Sequence, residues 1–530
     1  MSDKMSSTTA ASRGDPESDG EKTVPKGIIM AVSMLAATIY SVDITIANVA
    51  LPHMRGTFSA TLDQISWVLT SYIVASAIAT PCTGWLSERF GRRNLFMVGI
   101  GGFTFFSMVC GLANNLEVEI MGRLLQGMFG AFVIPVSMAI ILDVYPVEEH
   151  GRAMAIWGMG VLAGPVVGPT LGGYLTEWAN WRWVFFINLP LGGLALIGTW
   201  LFLPDTPRGE DRRFDWTGFI ALGLFVSALQ IMFDRGERQD WFESTEIWIE
   251  ASIAAIAFYV FVVHSMTTRS PFLSPRLFFD RNFVVGLLLF FVFGLVQLGP
   301  MILLPPMLQD LRDWPVTTIG ALLAPRGMGM ILIMPLAGRL TDRIDPRLII
   351  CSGFIVLTCG SLGMVGWNLE VGVWRLAWPG ILHGVGSGLI WVPLFSLAFS
   401  TLSPVLRVEG TSLFQLVRGI GSAIGVSIVV AQLARMNNTI HAFMTERITP
   451  FNELLQFPQF TGIWEFGTVE ELAIFNTELS RQAAMNAYIS DFWLISAMSL
   501  IAIPFSLLLG GSPPAEDTEP GVNEEILGHI

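Results

Sequence analysis

The sequence predicts an all-α integral membrane protein with fourteen transmembrane helices: two six-helix pseudo-repeats and two inserted helices between them. Three observations predict it. Charged residues make up 14% of the 530 residues and apolar residues 52%, whereas a soluble protein carries about 25% charged residues. The apolar residues gather into fourteen continuous runs. Short strings at the ends of matching runs recur at offsets of 254 to 259 residues.

A spanning helix needs roughly 20 apolar residues. The runs 27–52, 65–86, 95–113, 119–142, 153–176, 183–204, 216–234, 246–266, 282–308, 317–338, 348–367, 376–402, 408–434 and 486–511 meet that length. They are continuous rather than alternating, which excludes membrane strands. The mean hydropathy of +0.59 agrees. Residues 1–26 are rich in Ser, Thr, Asp and Glu and read as a disordered tail without the early apolar stretch of a signal peptide. Residues 512–530 read as a second tail. The net charge of −13 owes much to such solvated acids, for example Glu516, Asp517 and Glu519, so no basic or nucleic-acid partner is expected. Cys82, Cys110, Cys351 and Cys359 all lie in apolar runs without metal-ligand spacing.

Orientation follows from the loop Lys and Arg residues. With both tails in the cytoplasm, eighteen of the thirty lie on that side and nine on the other, six of those nine outside the long loop 435–485. Arg123, Arg326 and Arg418 fall inside runs. The loop 435–485, with Phe451, Phe457, Phe460, Trp464 and Phe466, faces away from the cytoplasm.

The repeat appears in GWLSERFGRR (84–93) and GRLTDRIDPR (338–347), where Gly, Leu, a hydroxyl, an acid and Arg recur in register. Gln126-Gly127 pairs with His383-Gly384, and Gly151 and Gly160 pair with Gly410 and Gly419. The expected units are therefore 27–204, an inserted pair within 205–281, and 282–511.

Ionisable residues inside apolar runs mark function. A carboxylate such as Asp43 costs about 2.5–3.5 kcal/mol at a helix centre. Taking up a proton removes that cost, so such a group can load a proton on one side and release it on the other. Thr45 and Asn48 are alternative local partners for it. Arg123 keeps its charge and must find acceptors in the bundle interior; Gln126 shares its face, and the second half has Gly380 where the first has Arg123. Gly160, Gly164, Gly168 and Gly172 form a stripe without side chains, flanked by Pro165, Pro169 and Gly173. It suits tight contact across the interface between halves. The 84–93 loop, with Gly84, Glu88, Arg89, Gly91, Arg92 and Arg93, can form ion pairs that hold one conformation, with Asp342 and Arg343 as a weaker second set. Asn48, Arg326, His383 and Arg418 are candidate substrate or gating groups. His383 reads first as a hydrogen-bonded core residue, and Asp491 as a polar residue near the start of the last run. No GxxxxGK[ST] phosphate loop, metal cluster or catalytic triad stands out. The chain reads as a transporter rather than an enzyme, without a cofactor and powered by an ion gradient.

SVDITIANVALP (41–52), RLLQGMFGA (123–131), GVLAGPVVGPTLGG (160–173), WRWVFFINLPLG (181–192) and FQLVRGIGSAIG (414–425), together with the 84–93 loop, resemble the major facilitator superfamily. They are closest to its fourteen-helix drug:proton antiporters of the EmrB/QacA type. Glu88 stands where that family usually has Asp. The resemblance covers nearly the whole chain. It implies export of hydrophobic or amphipathic toxic compounds in exchange for protons across the bacterial inner membrane. It also implies a role for Arg123 in tuning proton binding, and an antiporter role for the glycine stripe. RQAAMNAYISDF (481–492) is similar to the same type and implies a periplasmic membrane-fusion adaptor and an outer-membrane channel as partners. The same motifs permit a dedicated exporter of one metabolite. A membrane sensor that no longer transports is disfavoured by Asp43, Arg123 and the intact stripe.

Overall fold

The computed structural model describes residues 25–146, 149–205, 214–269, 271–341, 343–403, 406–447 and 469–510. Fourteen helices among them are long and apolar enough to cross a membrane, and no strand occurs among the described residues. They are α1 (Lys26–Phe58), α2 (Gln64–Phe90), α3 (Arg92–Gly111), α4 (Leu116–Val144), α5 (His150–Trp178), α6 (Trp183–Phe202), α7 (Trp216–Arg235), α8 (Thr245–Thr267), α9 (Arg281–Arg312), α10 (Thr318–Thr341), α11 (Pro346–Val365), α12 (Val373–Ser400), α13 (Arg407–Glu446) and α14 (Leu472–Ser506). Each coincides with one apolar run of the sequence, to within a few residues at most ends. An even number of crossings puts both chain ends on one side, here called the tail face.

Side-chain caps start several helices where the sequence turns from polar to apolar. Thr61 and Gln64 form a reciprocal capping box ahead of α2, with bonds of 3.2 and 3.0 Å. Asn115, Asp215 and Asp280 accept from backbone N–H groups at the starts of α4, α7 and α9. Exposed Trp178, Trp183, Trp200, Trp216, Trp248 and Trp374 sit at or near helix ends, as an aromatic belt requires.

The largest departure from the sequence reading is at the expected loop 435–485. The helix of α13 runs on to Arg447 and that of α14 begins at Val469. Neither 435–447 nor 469–485 contains a Gly or Pro to stop a helix. The extensions meet, with His441 Nε2 3.3 Å from Asn476 Oδ1. Phe451, Phe457, Phe460, Trp464 and Phe466 lie outside the described residues, as do both tails and Asp342. Asp491 is correspondingly deep in α14 and fully buried, not near its start.

The two sets of six pack by the same pairings. In the first, α1 packs on α5 and α6, α2 on α4, and α3 on α4 and α6. In the second, α9 packs on α13 and α14, α10 on α12, and α11 on α12 and α14. The inserted α7 contacts α8, α2 and α13. Its Asp234 accepts from Thr70 Oγ1 at 3.0 Å, and its Phe233 carbonyl accepts from Ser427 Oγ at 3.1 Å, so it touches both sets. α8 leaves Ile249, Ile253, Ile256, Tyr259 and Val260 facing outward, as a lipid-bathed helix does.

Candidate functional site

Inside the first six helices lies a closed polar cluster. Asp43 on α1 is fully buried and Arg123 on α4 is 1% exposed. Arg123 Nη1 donates to Asp43 Oδ2 at 2.7 Å and to Gln126 Oε1 at 2.9 Å. Gln126 Nε2 donates to Asp43 Oδ1 at 3.0 Å. Asn188 Nδ2 on α6 donates to the same oxygen at 2.7 Å and to Ser107 Oγ on α3 at 2.9 Å. Arg123 Nε donates to the Val68 carbonyl at 3.3 Å, and its guanidinium lies 4.1 Å over the Tyr72 ring, so α2 completes the cage. Asp43 thus holds an ion pair and two amide bonds in a region without water-facing surface.

The sequence singled out Asp43 and Arg123 separately, with Gln126 on the face of Arg123, and the structure joins all three. It gave no role to Asn188, Ser107 or Tyr72. Asn188 begins the longer stretch of α6, after a break at Ile187 and two residues before Pro190. The proline has no N–H for the Phe186 carbonyl, which fits a break here. The local alternatives for Asp43 do not form: Thr45 Oγ1 donates to Val42 O and Gly164 O, and Asn48 is exposed.

The glycine stripe does not face the second half as expected; it packs on α1. A methyl group on Gly164 would come within 2.7 Å of Ser41, and one on Gly172 within 2.8 Å of Ile46 Cγ1. Gly160 faces Met34 and Gly168 faces Thr45. Gly173 has only Val49 Cγ1 at 3.9 Å. The helix is continuous through Pro165 and Pro169. The stripe therefore sets the depth of Asp43 by letting α1 and α5 touch. In its earlier turns α5 also touches the other half, where Gly158 meets Met334.

Between the halves, the described contacts concentrate near the tail face. A methyl on Gly84 would lie 3.3 Å from Glu409 Cβ, and one on Gly338 3.0 Å from the Gly151 carbonyl. Repeat-related glycines thus make matching cross-half contacts. At the end of α4, Asp143 pairs with Arg92 of α3 and lies 3.8 Å from Arg407 Nη1 of α13. Arg93 pairs with Asp205 and donates to the Trp200 carbonyl at 2.5 Å. Gly91, at φ 82°, turns the chain between α2 and α3. Glu88 and Arg89 ride the last turn of α2, with Arg89 over Trp85. Arg343 is exposed. Arg92 and Arg93 therefore use Asp143 and Asp205 as partners, acids to which the sequence reading gave no role.

Neutralising Asp143 should loosen this latch. Half-buried ion pairs of this kind are worth about 1 kcal/mol, or roughly fivefold in the ratio of closed to open states. Asp143→Asn is expected to raise the labelling rate of a cysteine placed in the tail-face cleft by about that factor. An unchanged rate would exclude a latch.

The other candidates are separate. Arg418 Nε donates to Gln415 Oε1 at 3.1 Å, and its guanidinium is 5.8 Å from the Trp391 ring. Arg326 donates to the Gln297 carbonyl. Neither has a carboxylate partner among the described residues. His383 is fully buried, but neither ring nitrogen has a hydrogen-bond partner there. Among the described residues no group of His, Cys, Asp and Glu could hold a metal.

This arrangement has relatives. A family model described as Major Facilitator Superfamily matches residues 33–426. The chain is 33% identical to the multidrug export protein EmrB of Haemophilus influenzae, over 90% of this chain and 94% of that one. It is 32% identical to the Escherichia coli K12 EmrB, over 92% and 96%, and 31% identical to the fatty acid resistance protein FarB of Neisseria gonorrhoeae, over 91% and 95%. The crystal structure of the human organic anion transporter MFSD10 superposes with a TM-score of 0.59 at 15% identity, over 90% of this chain and 99% of that one, which shows the shared fold. Fourteen spanning helices, matched helix pairings and full-length similarity lead to one assignment: the chain belongs to the major facilitator superfamily, as an EmrB-type multidrug efflux transporter of the bacterial inner membrane.

Proposed function

We propose that the export is driven by protons, and that Asp43 is the group that carries them. The observation behind this reading is a fully buried carboxylate whose charged partner, Arg123, cannot give up its own proton. When Asp43 takes a proton, the ion pair dissolves and α1 loses its tie to α4. When the proton leaves, the tie returns. α1 also carries the seam with α5, so the change can be felt along the first half.

The positive-inside bias supports placing the tail face in the cytoplasm. The conformation is then the one closed toward the cytoplasm, in which Asp43 would load from outside. The proposed substrates are hydrophobic or amphipathic toxic compounds. Amphipathic acids are included: a relative is named for fatty acid resistance, and Arg418 and Arg326 offer guanidinium groups without carboxylate partners among the described residues. Arg418, Arg326 and His383 are proposed to meet substrate or gate its path. The paired extensions of α13 and α14 are proposed to dock a periplasmic membrane-fusion adaptor that leads to an outer-membrane channel.

The test is drug susceptibility and dye efflux in a strain stripped of its own pumps. Expression should raise resistance and lower dye retention, and an uncoupler should abolish the efflux. Efflux that persists with the proton gradient collapsed would exclude proton coupling.

A further inference from the structure

A second acid lies deep in the same half, outside the cluster. Glu119 is fully buried, and neither carboxylate oxygen has a hydrogen-bond partner. It is on α4, one turn before Arg123, so the two share a helix face. Its neighbour Glu117 is exposed. Reading α4 inward from the face opposite the tails, the order is the Asn115 cap, Glu119, Arg123 and Gln126, each about one turn apart. The charged groups within electrostatic reach of Glu119 are Arg123 on its own helix, Asp43 on α1, and Arg182 at the start of α6. Between Glu119 and Gln126 stands the Cys110 thiol of α3, 4.0 Å from the Glu119 carbonyl and 3.9 Å from Gln126 Oε1.

A permanently charged guanidinium in this interior needs a carboxylate partner at every stage of the cycle, because an uncompensated buried charge is strongly destabilising. Asp43 serves while it is ionised. Once Asp43 is protonated, the acid nearest Arg123 along its own helix is Glu119. An acid one turn N-terminal to a base is also the favoured order for a helix pair. We infer that Glu119 is the alternative counter-ion of Arg123 and the relay through which protons from outside reach Asp43. In one state Glu119 holds the proton and Asp43 is ionised and paired with Arg123. In the other, the proton has left the Glu119 carboxyl for the Asp43 carboxylate, and Arg123 has turned to Glu119. Arg123 and the two acids together carry one positive and one negative charge in both. Release from Asp43 toward the tail face and reprotonation of Glu119 from the opposite face complete one inward proton. No electron transfer or co-reactant is needed.

The inference rests on proton coupling at Asp43, and the experiment separates the two. Purified full-length protein is reconstituted into liposomes, and both ΔpH-driven dye transport and dye exchange at equal pH are measured. For Glu119→Gln, ΔpH-driven transport should fall about 100-fold, the low end of what a positioned proton-transfer group contributes, while exchange at equal pH persists. Glu119→Asp should restore transport with a displaced pH profile. If the wild type itself shows no ΔpH-driven transport, the coupled reading fails and the relay with it. If the wild type is coupled and Glu119→Gln matches it in rate and pH profile, the relay alone is overturned. Should Glu119→Gln fail to insert, Glu119→Asp decides: a displaced pH profile supports the relay, and an unchanged one overturns it.

Discussion

Asp43→Asn is expected to abolish ΔpH-driven export while leaving a folded protein that still binds dye. The amide keeps the size of the side chain. Its oxygen can still accept from Arg123, while its nitrogen replaces the oxygen that accepts from Gln126 and Asn188 and meets two donors there. What it cannot do is ionise. Arg123, 1% exposed, loses its ion-pair partner and has only Glu119, one turn away on α4, to turn to. Breaking one side of a buried ion pair costs about 3–5 kcal/mol when the remaining charge finds no new partner, and less where Glu119 takes the place of Asp43. The variant should therefore unfold at a clearly lower temperature, and the gradient-driven rate should fall at least about 100-fold. Dye exchange between equal pH values should survive. If Asp43→Asn exports at the wild-type rate under ΔpH, the acid is a structural anchor and proton carriage lies elsewhere.

The second large effect is at the seam of α1 and α5. Gly164→Val would push three carbon atoms into a space where even one methyl comes within 2.7 Å of the Ser41 backbone and side chain. Gly172 meets backbone as well, with the Ile46 carbonyl at 3.0 Å from a methyl. Backbone cannot turn aside as a flexible side chain can, so the two helices must separate. Overpacking of this kind costs about 1–3 kcal/mol. It also carries Asp43, two residues beyond Ser41, away from Arg123, whose 2.7 Å bond tolerates little displacement. We expect Gly164→Val to lose export and to unfold earlier on heating. Gly173→Ala is the control within the same motif, since its new methyl would make only ordinary contact at 3.9 Å. Its stability should stay within about 0.5 kcal/mol of wild type. Equal behaviour of the two variants in thermal unfolding would refute the seam.

Much of this was legible in the sequence, for a physical reason. Lipid tolerates neither charge nor broken backbone hydrogen bonds, so spans announce themselves as long apolar runs and their few charges stand out. Asp43 and Arg123 were visible on that ground, and Gln126 by its spacing of three from Arg123. Their joining partner Asn188 was not, because an amide near a helix break carries no such signature. Glu119 was hidden for the opposite reason: an acid at the edge of a run looks like a solvated helix start, and only packing shows it buried. The ends of α13 and α14 were misjudged because their polar extensions are helical without being apolar. The glycine stripe was visible as a stripe, but spacing alone does not say which neighbour it touches. Asp143 at the end of α4 gave no hint that arginines from two halves converge on it.

The central claim is that a proton moving inward on buried carboxyl groups drives cargo outward. The most direct measurement uses liposomes holding only this protein, with an imposed ΔpH, a fluorescent substrate and a pH-sensitive dye. The claim predicts that substrate accumulates against its gradient, that protons move in the opposite direction in step with it, and that both stop in Asp43→Asn. Substrate that only equilibrates, at a rate indifferent to ΔpH, would contradict it.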